Sequence, residues 1–212
     1  MFKLTPIIEK AYQREEMNIN EHNFEKVLVL LGSPRKKSTS NRLAEQVIKG
    51  AEAKGAQVER VYINKLDLKG CQGCYSCKKE GAKGCRIKDD MQEVYPKMLE
   101  AGSWLIATPV YWFNMTAQTK MVIDRTFGIF NDYAENPNPL KGKRIAIAMS
   151  YGDKDVFASG CVNALRTFQD CFGYIGAKMS GMVYGTAEKP EEMEENKTLM
   201  KDALKLGERL VR

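Results

Sequence analysis

From Lys26 onward the chain alternates short apolar runs with amphipathic stretches. Val27 to Gly32 (VLVLLG) has no polar position, the pattern of a strand covered on both faces by helices. Leu43, Val47 and Ala51, flanked by Ala44 and Ile48, then fall at helical spacing, and Gly55 is suited to end that helix. Val58 to Ile63 predicts a second strand. Asp90-Met91-Gln92-Glu93 has the spacing of a capping box opening a helix to about Glu100, with Pro96 weakening its first turns. Ser103 to Thr108 is another continuous apolar strand, Thr116 to Arg125 reads as helix, and Arg144 to Met149 as strand. Phe157, Cys161, Ala164, Leu165, Phe168 and Phe172 mark one helix face, Ala177 to Tyr184 closes the sheet, and Pro190 begins a last helix with an acidic first turn and a basic end.

Strands and helices in alternation, joined by crossovers of this length, predict an α/β domain with a doubly wound, five-stranded parallel sheet. Its 212 residues suit one such domain with an appendage. The appendage is residues 1–25, a polar extension in which Ile8 to Met17 could form a helix; the domain is residues 26–212. Ligands bind such sheets at the carboxyl ends of the strands. The loops that matter are therefore Gly32 to Asn41, Pro109 to Met115 and Ser150 to Asp155.

Composition narrows the chemistry. A single His, His22, against six Cys leaves no room for a His-rich zinc site, and any triad or imidazole base would have to use that one ring. No apolar run approaches the roughly eighteen residues that span a bilayer, and the charged start lacks the apolar core of a signal peptide, so the expected location is cytoplasmic, with no membrane partner. Cysteines there should be thiols or metal ligands. The net charge of +6, with basic residues around Arg35-Lys36-Lys37 and from Lys65 to Lys88, fits solubility or an anionic cofactor; nothing beyond charge supports nucleic-acid binding.

Gly32 to Asn41 contains neither a dinucleotide fingerprint nor a Walker loop. It offers Ser33, Ser38, Thr39 and Ser40 as hydroxyl donors, a helix N-terminus and the guanidinium of Arg35, a set suited to a phosphate dianion. Capping a helix would need only one of those hydroxyls. Tyr111-Trp112-Phe113 at a strand's end suits stacking on a flat ring, and packing over the core or between subunits suits it equally. Asn114 could cap the following helix. Tyr151, Gly152 and Asp153 could close over the far side of such a ring, with Ser150 before them a further candidate contact, although a polar loop there is ordinary in any α/β protein.

The GSPRK loop, the PVYW segment and KMVIDR together resemble the NAD(P)H-dependent FMN reductases of the flavodoxin-like superfamily, over roughly Lys26 to Pro190. The resemblance implies a flavodoxin-like fold with strand order 2-1-3-4-5. It also implies FMN with its phosphate on Ser33, Arg35, Ser38, Thr39 and Ser40, and its isoalloxazine against Pro109, Val110, Tyr111, Trp112, Phe113 and Asn114. NADH, NADPH or a redox protein would be the donor, and a homodimer or homotetramer the assembly. Lys37-Ser38-Thr39 departs from the Gly and Asn that members commonly carry after the basic pair, which bears on the individual phosphate contacts.

Cys71, Cys74, Cys77 and Cys85 form a C-x2-C-x2-C-x7-C run, the most specific feature of the chain. Zinc usually takes two separated C-x2-C hairpins, whereas compact triple runs with a fourth thiolate nearby hold cubane iron–sulfur clusters. The run is similar to the cysteine motif of the iron-sulfur flavoproteins, a branch of the same family, and like it is followed by Asp89-Asp90-Met91. That implies a [4Fe-4S] cluster between flavin and acceptor. Two readings stay open beside it: a simple NAD(P)H-dependent FMN or quinone reductase with free thiols, and a non-catalytic module stabilised by zinc. Cys161 and Cys171 read as small core residues.

Overall fold

A computed structural model describes residues 22–130 and 138–211. The helix expected over Ile8 to Met17 lies outside these residues. Five parallel strands run in the order β2-β1-β3-β5-β6: β1 (Lys26–Leu31), β2 (Gln57–Tyr62), β3 (Ser103–Tyr111), β5 (Arg144–Tyr151) and β6 (Lys178–Thr186). This is the expected 2-1-3-4-5 order counted over the main strands. A two-residue β4 (Asn114–Met115) folds back antiparallel on the end of β3.

The connections are α1 (Thr39–Glu52), α2 (Met91–Glu100), α3 (Ala117–Arg125), α4 (Cys161–Tyr174), α5 (Pro190–Glu195) and α6 (Lys197–Val211). Alternate side chains of the central strands feed two cores. Leu28, Leu30, Trp104, Ile106, Ile145 and Ile147 pack with α2, α3 and α4, while Val27, Val29, Leu31, Leu105 and Ala107 pack with α1 and α6. That division is why the middle of each of these strands is apolar on both faces. Among the described residues, no helix is long and apolar enough to cross a membrane.

Several local expectations are corrected. Asp90 has helical dihedrals and makes no cap; its carboxylate accepts from the Asp67 N–H at 2.7 Å, so the capping box does not form, and Asp89 Oδ1 takes the Met91 N–H at 3.2 Å instead. Phe157 is 74% exposed and off the buried face of α4, because that helix begins only at Cys161. The last helix is two, broken at Asn196, whose Oδ1 caps the second by accepting from the Leu199 N–H. Pro96 is accommodated within a continuous α2. Cys161 is fully buried, and burial pushes its thiol up to about 12; Cys171 is half-buried and also raised by burial.

Candidate functional site

The hydroxyl-rich loop leaves β1 at the carboxyl edge and enters α1. Ser38 is the N-cap, its Oγ accepting from the Asn41 N–H at 3.2 Å and lying 3.2 Å from Ser40 Oγ. Ser33 Oγ accepts from the Arg35 N–H at 3.2 Å. Asn41 Nδ2 donates to the Arg35 and Lys36 carbonyls at 3.3 and 2.9 Å, pinning the loop's outer turn to the first turn of α1. Asn41 is thus a site residue without an assigned role in the sequence reading; its place three residues after the cap was the available clue. Ser33, Ser38 and Ser40 are buried, while Arg35, Lys36 and Lys37 are exposed around them.

Further hydrogen bonds gather the three loops. Thr39 Oγ1 donates to Ser150 Oγ at 2.7 Å, and Ser150 stands opposite Pro109 in the β3–β5 register. Thr116 Oγ1 donates to the Gly32 carbonyl at 2.8 Å, and the Gly32 N–H to Ala107 at 2.7 Å. Thr116 also caps α3, accepting from the Thr119 N–H. The cap expected of Asn114 is therefore made by Thr116, since Asn114 is held in β4.

The aromatic segment is a hairpin, not an open loop. Pro109, Val110 and Tyr111 extend β3, Tyr111 pairs with Asn114, and Trp112 and Phe113 form the turn. Both turn residues have positive φ, 48° and 64°, as a type I′ two-residue turn demands. Bulky side chains rarely adopt this region, and each such residue costs roughly 1–3 kcal/mol. The strain is held from behind. The Phe113 carbonyl accepts from Asn163 Nδ2 at 3.1 Å, and its backbone lies so close to Gly160 that a Cβ there would stand 2.6 Å from the Phe113 Cα. Trp112 projects 93% exposed, with Phe113 edge-on at 5.9 Å between centroids. Tyr151 is half-buried, Gly152 exposed, and burial raises the Tyr151 phenol.

The cysteine run leaves the sheet after β2. Its two ends are tied together by Arg125, whose guanidinium meets both carboxylate oxygens of Asp89 at 2.6 and 3.0 Å and donates to the Lys69 carbonyl at 2.7 Å. Asp89 Oδ2 also accepts from the Lys69 N–H at 2.8 Å. Both charged side chains are essentially inaccessible, at 1% and 0%. Burial penalises the Asp89 charge, but Arg125 and the Lys69 N–H outweigh it and hold the carboxyl below its ordinary value. Burial likewise opposes the Arg125 charge, and its bonds to Asp89 and Tyr95 keep it above its ordinary value. Tyr95 donates to the Arg125 carbonyl at 2.9 Å, and its phenol is raised by burial and then by the neighbouring Cys85. Tyr95 had no role in the sequence reading, and Asp89 entered it only within the Asp89-Asp90-Met91 motif. KMVIDR contained the Arg only as part of a motif.

Cys71 and Cys74 are exposed; Cys77 and Cys85 are half-buried. Hydrogen bonding with Ser76 lowers the Cys74 thiol, and burial raises that of Cys77. Among the described residues, no group of three or more His, Cys, Asp or Glu is placed to hold a metal ion. The run supplies four thiols of the kind that bind a cluster, but they are not gathered at one point: two are seated against the domain and two project from it. The hydroxyl loop suits a phosphate in the same sense, through polar hydrogens gathered at a helix N-terminus under a basic rim.

A model of the NADPH-dependent FMN reductase family matches residues 25–182. The chain belongs to this family. Within it, the chain is 36% identical to an iron-sulfur flavoprotein of Methanocaldococcus jannaschii over 148 residues, 69% of this chain and 70% of that one. It is also 36% identical to an iron-sulfur flavoprotein of Archaeoglobus fulgidus over 118 residues, 56% of this chain and 50% of the other. The chain spans about half the length of most of the curated relatives it matches. The NAD(P)H:quinone oxidoreductase from Methanothermobacter marburgensis has the same fold, with a TM-score of 0.69 at 18% identity over 88% of this chain and 97% of that one.

Proposed function

We propose that this member of the NADPH-dependent FMN reductase family is an FMN oxidoreductase that takes electrons from NADH, NADPH or a protein donor and passes them to an acceptor through a [4Fe-4S] cluster on Cys71, Cys74, Cys77 and Cys85. The observation that carries the reading is the convergence of three loops at one sheet edge, with Thr39 bonded to Ser150 and Thr116 to Gly32, beside a hairpin held in positive φ by Gly160 and Asn163. Backbone strain of this kind persists where the surroundings over-determine it, and it gathers at ligand sites.

Bound there, FMN would supply the hydride and single-electron chemistry and the cluster a one-electron exit, so no protein acid or base is required of the one histidine. His22 is engaged elsewhere, its Nε2 2.6 Å from the Lys141 carbonyl. Ser33, Ser38, Thr39, Ser40 and Arg35 would bind the phosphate, with the N-terminal dipole of α1 behind them. Pro109 to Asn114 would place the ring, and Trp112 and Phe113 would exclude water from one side of it. Ser150, Tyr151 and Gly152 would border the other side. The exposure of Trp112 suits cover by a second copy of the chain, in a homodimer or homotetramer.

Arg35→Ala should remove one charge-assisted contact of roughly 1.5–3 kcal/mol, weakening FMN about 10- to 150-fold by titration against the apoprotein. Unchanged affinity would remove Arg35 from the phosphate site. Protein purified without oxygen should show flavin bands over a broad absorbance bleached by dithionite, with iron and acid-labile sulfide. Cys74→Ala should abolish the iron and sulfide and spare the FMN; iron retained in that variant contradicts the ligand set.

The absence of a gathered three-ligand group among the described residues favours a second reading, a reductase that uses FMN alone and keeps four thiols. Flavin bands without iron would establish it. A colourless zinc protein would sink both.

A further inference from the structure

The four cysteines do not stand alike. Cys77 Sγ lies 3.9 Å from the Phe127 carbonyl, and a Cβ on Gly128 would stand 3.1 Å from the Cβ of Cys85, so both cysteines rest on the single turn Thr126–Gly128. The Cys85 carbonyl accepts from Gln92 Nε2 at 3.1 Å, and the same amide holds the Ile87 carbonyl at 2.7 Å. Lys78, next to Cys77, lays its ammonium 4.3 Å from the Phe127 ring centroid and bonds to the Phe130 carbonyl. The arm before them is different. A Cβ on Gly70 or Gly73 would meet nothing within 4 Å, and Cys71 and Cys74 are exposed. The residue immediately before the shared turn is Arg125, and its guanidinium reaches the Lys69 carbonyl and the Asp89 carboxylate, on residues that flank the run on either side.

We propose that the buried Arg125–Asp89 pair is the positioning element of the cysteine run, seating Cys77 and Cys85 on the Thr126–Gly128 turn as a preformed half-site onto which Cys71 and Cys74 close when a thiophilic iron centre binds. The inference rests on the metal reading of the run given above. Each thiol that joins the centre releases its proton to solvent, and Arg125 and Asp89 take no part in coordination. They narrow the loop's freedom beforehand, so that ordering the exposed arm is the main entropic cost left at binding.

The test is residue-resolved alkylation of the FMN-loaded protein with iodoacetamide, mapped by mass spectrometry while EDTA withdraws iron. Cys71 and Cys74 should label first, and Cys77 and Cys85 at least about tenfold more slowly, as expected for sites that need a local opening. Equal rates at all four, or faster labelling of Cys77 and Cys85, overturn the proposal. Should the purified protein hold no iron, the cluster reading fails, yet the same rate order without EDTA still supports the half-site.

Replacing both charges, Asp89→Asn with Arg125→Gln, removes the pair without leaving a lone buried ion. It should bring Cys77 and Cys85 towards the rate of Cys74 while Cys161 stays unlabelled and FMN content is unchanged. An unaltered rate order in that variant overturns the positioning role. If Cys161 labels, so that the core has opened, the decision passes to Gln92→Ala: faster labelling of Cys85 supports the half-site, and no change overturns it.

Discussion

Asp89→Ala should destabilise the protein by about 3–5 kcal/mol, because it leaves the guanidinium of Arg125 buried and without its carboxylate. The pair is bidentate and closed to solvent on both sides. Its loss also frees the Lys69 N–H at the other end of the cysteine run. For a domain of this size each kcal/mol moves the melting temperature by about 2–4 °C, so a fall of roughly 10 °C is expected in calorimetry. A fall within 2 °C of zero, on the order of a typical surface substitution, would mean that the pair contributes nothing net.

The same pair sets a pH dependence. The folded-state carboxyl of Asp89 is held below its ordinary value, which is about 3.9 in an unfolded chain. A depressed carboxyl contributes stability that is fully present above the unfolded value and is lost as pH falls through the folded one. Asp89→Asn should therefore be less stable than the wild type at neutral pH, with the difference shrinking as pH falls below about 4. Melting temperatures of both proteins across that range test the point; a difference that does not change with pH would assign the destabilisation to packing.

Gly32→Ala should disrupt the hydroxyl loop. A Cβ at this position would stand 1.9 Å from Thr119 Oγ1 and 3.2 Å from the Ala107 carbonyl. Thr119 cannot easily turn away. It is β-branched and buried, and its hydroxyl is 2.9 Å from that of Thr116, which in turn bonds to the Gly32 carbonyl. Overpacking of this kind costs about 1–3 kcal/mol and is relieved by backbone shifts. Here the backbone that must shift carries Ser33 and Arg35, so FMN affinity should fall by more than the roughly tenfold expected from losing one neutral hydrogen bond. Thr119→Ala in the same chain removes the clashing oxygen and should restore part of that affinity. If Gly32→Ala binds FMN as the wild type does, the loop does not hold the phosphate.

Much of the candidate site's place in the fold was legible in the order of residues. Strands with continuous apolar runs announced a sheet buried on both faces, and the crossover lengths made it parallel. Together these direct attention to the loops at the carboxyl edge. That one of the clustered hydroxyls would cap the helix, with the others and Arg35 beside it, followed from local chemistry; that the cap is Ser38 was decided by the structure. The form of the aromatic segment did not follow. The two turn positions, Trp112 and Phe113, lack the Gly or Asn expected in a tight hairpin, and their positive φ values are held by contacts with Gly160 and Asn163, distant in sequence. The capping box failed for a related reason, because Asp90 is drawn to Asp67 and Asp89 to Arg125.

By itself, then, the sequence determined the elements, their class of arrangement and the four-cysteine run, since periodicity, caps and close spacing are written within a few residues of one another. The tertiary structure alone decided that Arg125 in α3 closes the cysteine loop, that Thr39 meets Ser150, and that Cys77 and Cys85 share one seat while Cys71 and Cys74 project from it. Each of those depends on two segments brought together by packing of the sheet and its helices. A side chain's long-range partner is chosen by the geometry of that packing, which no local pattern records.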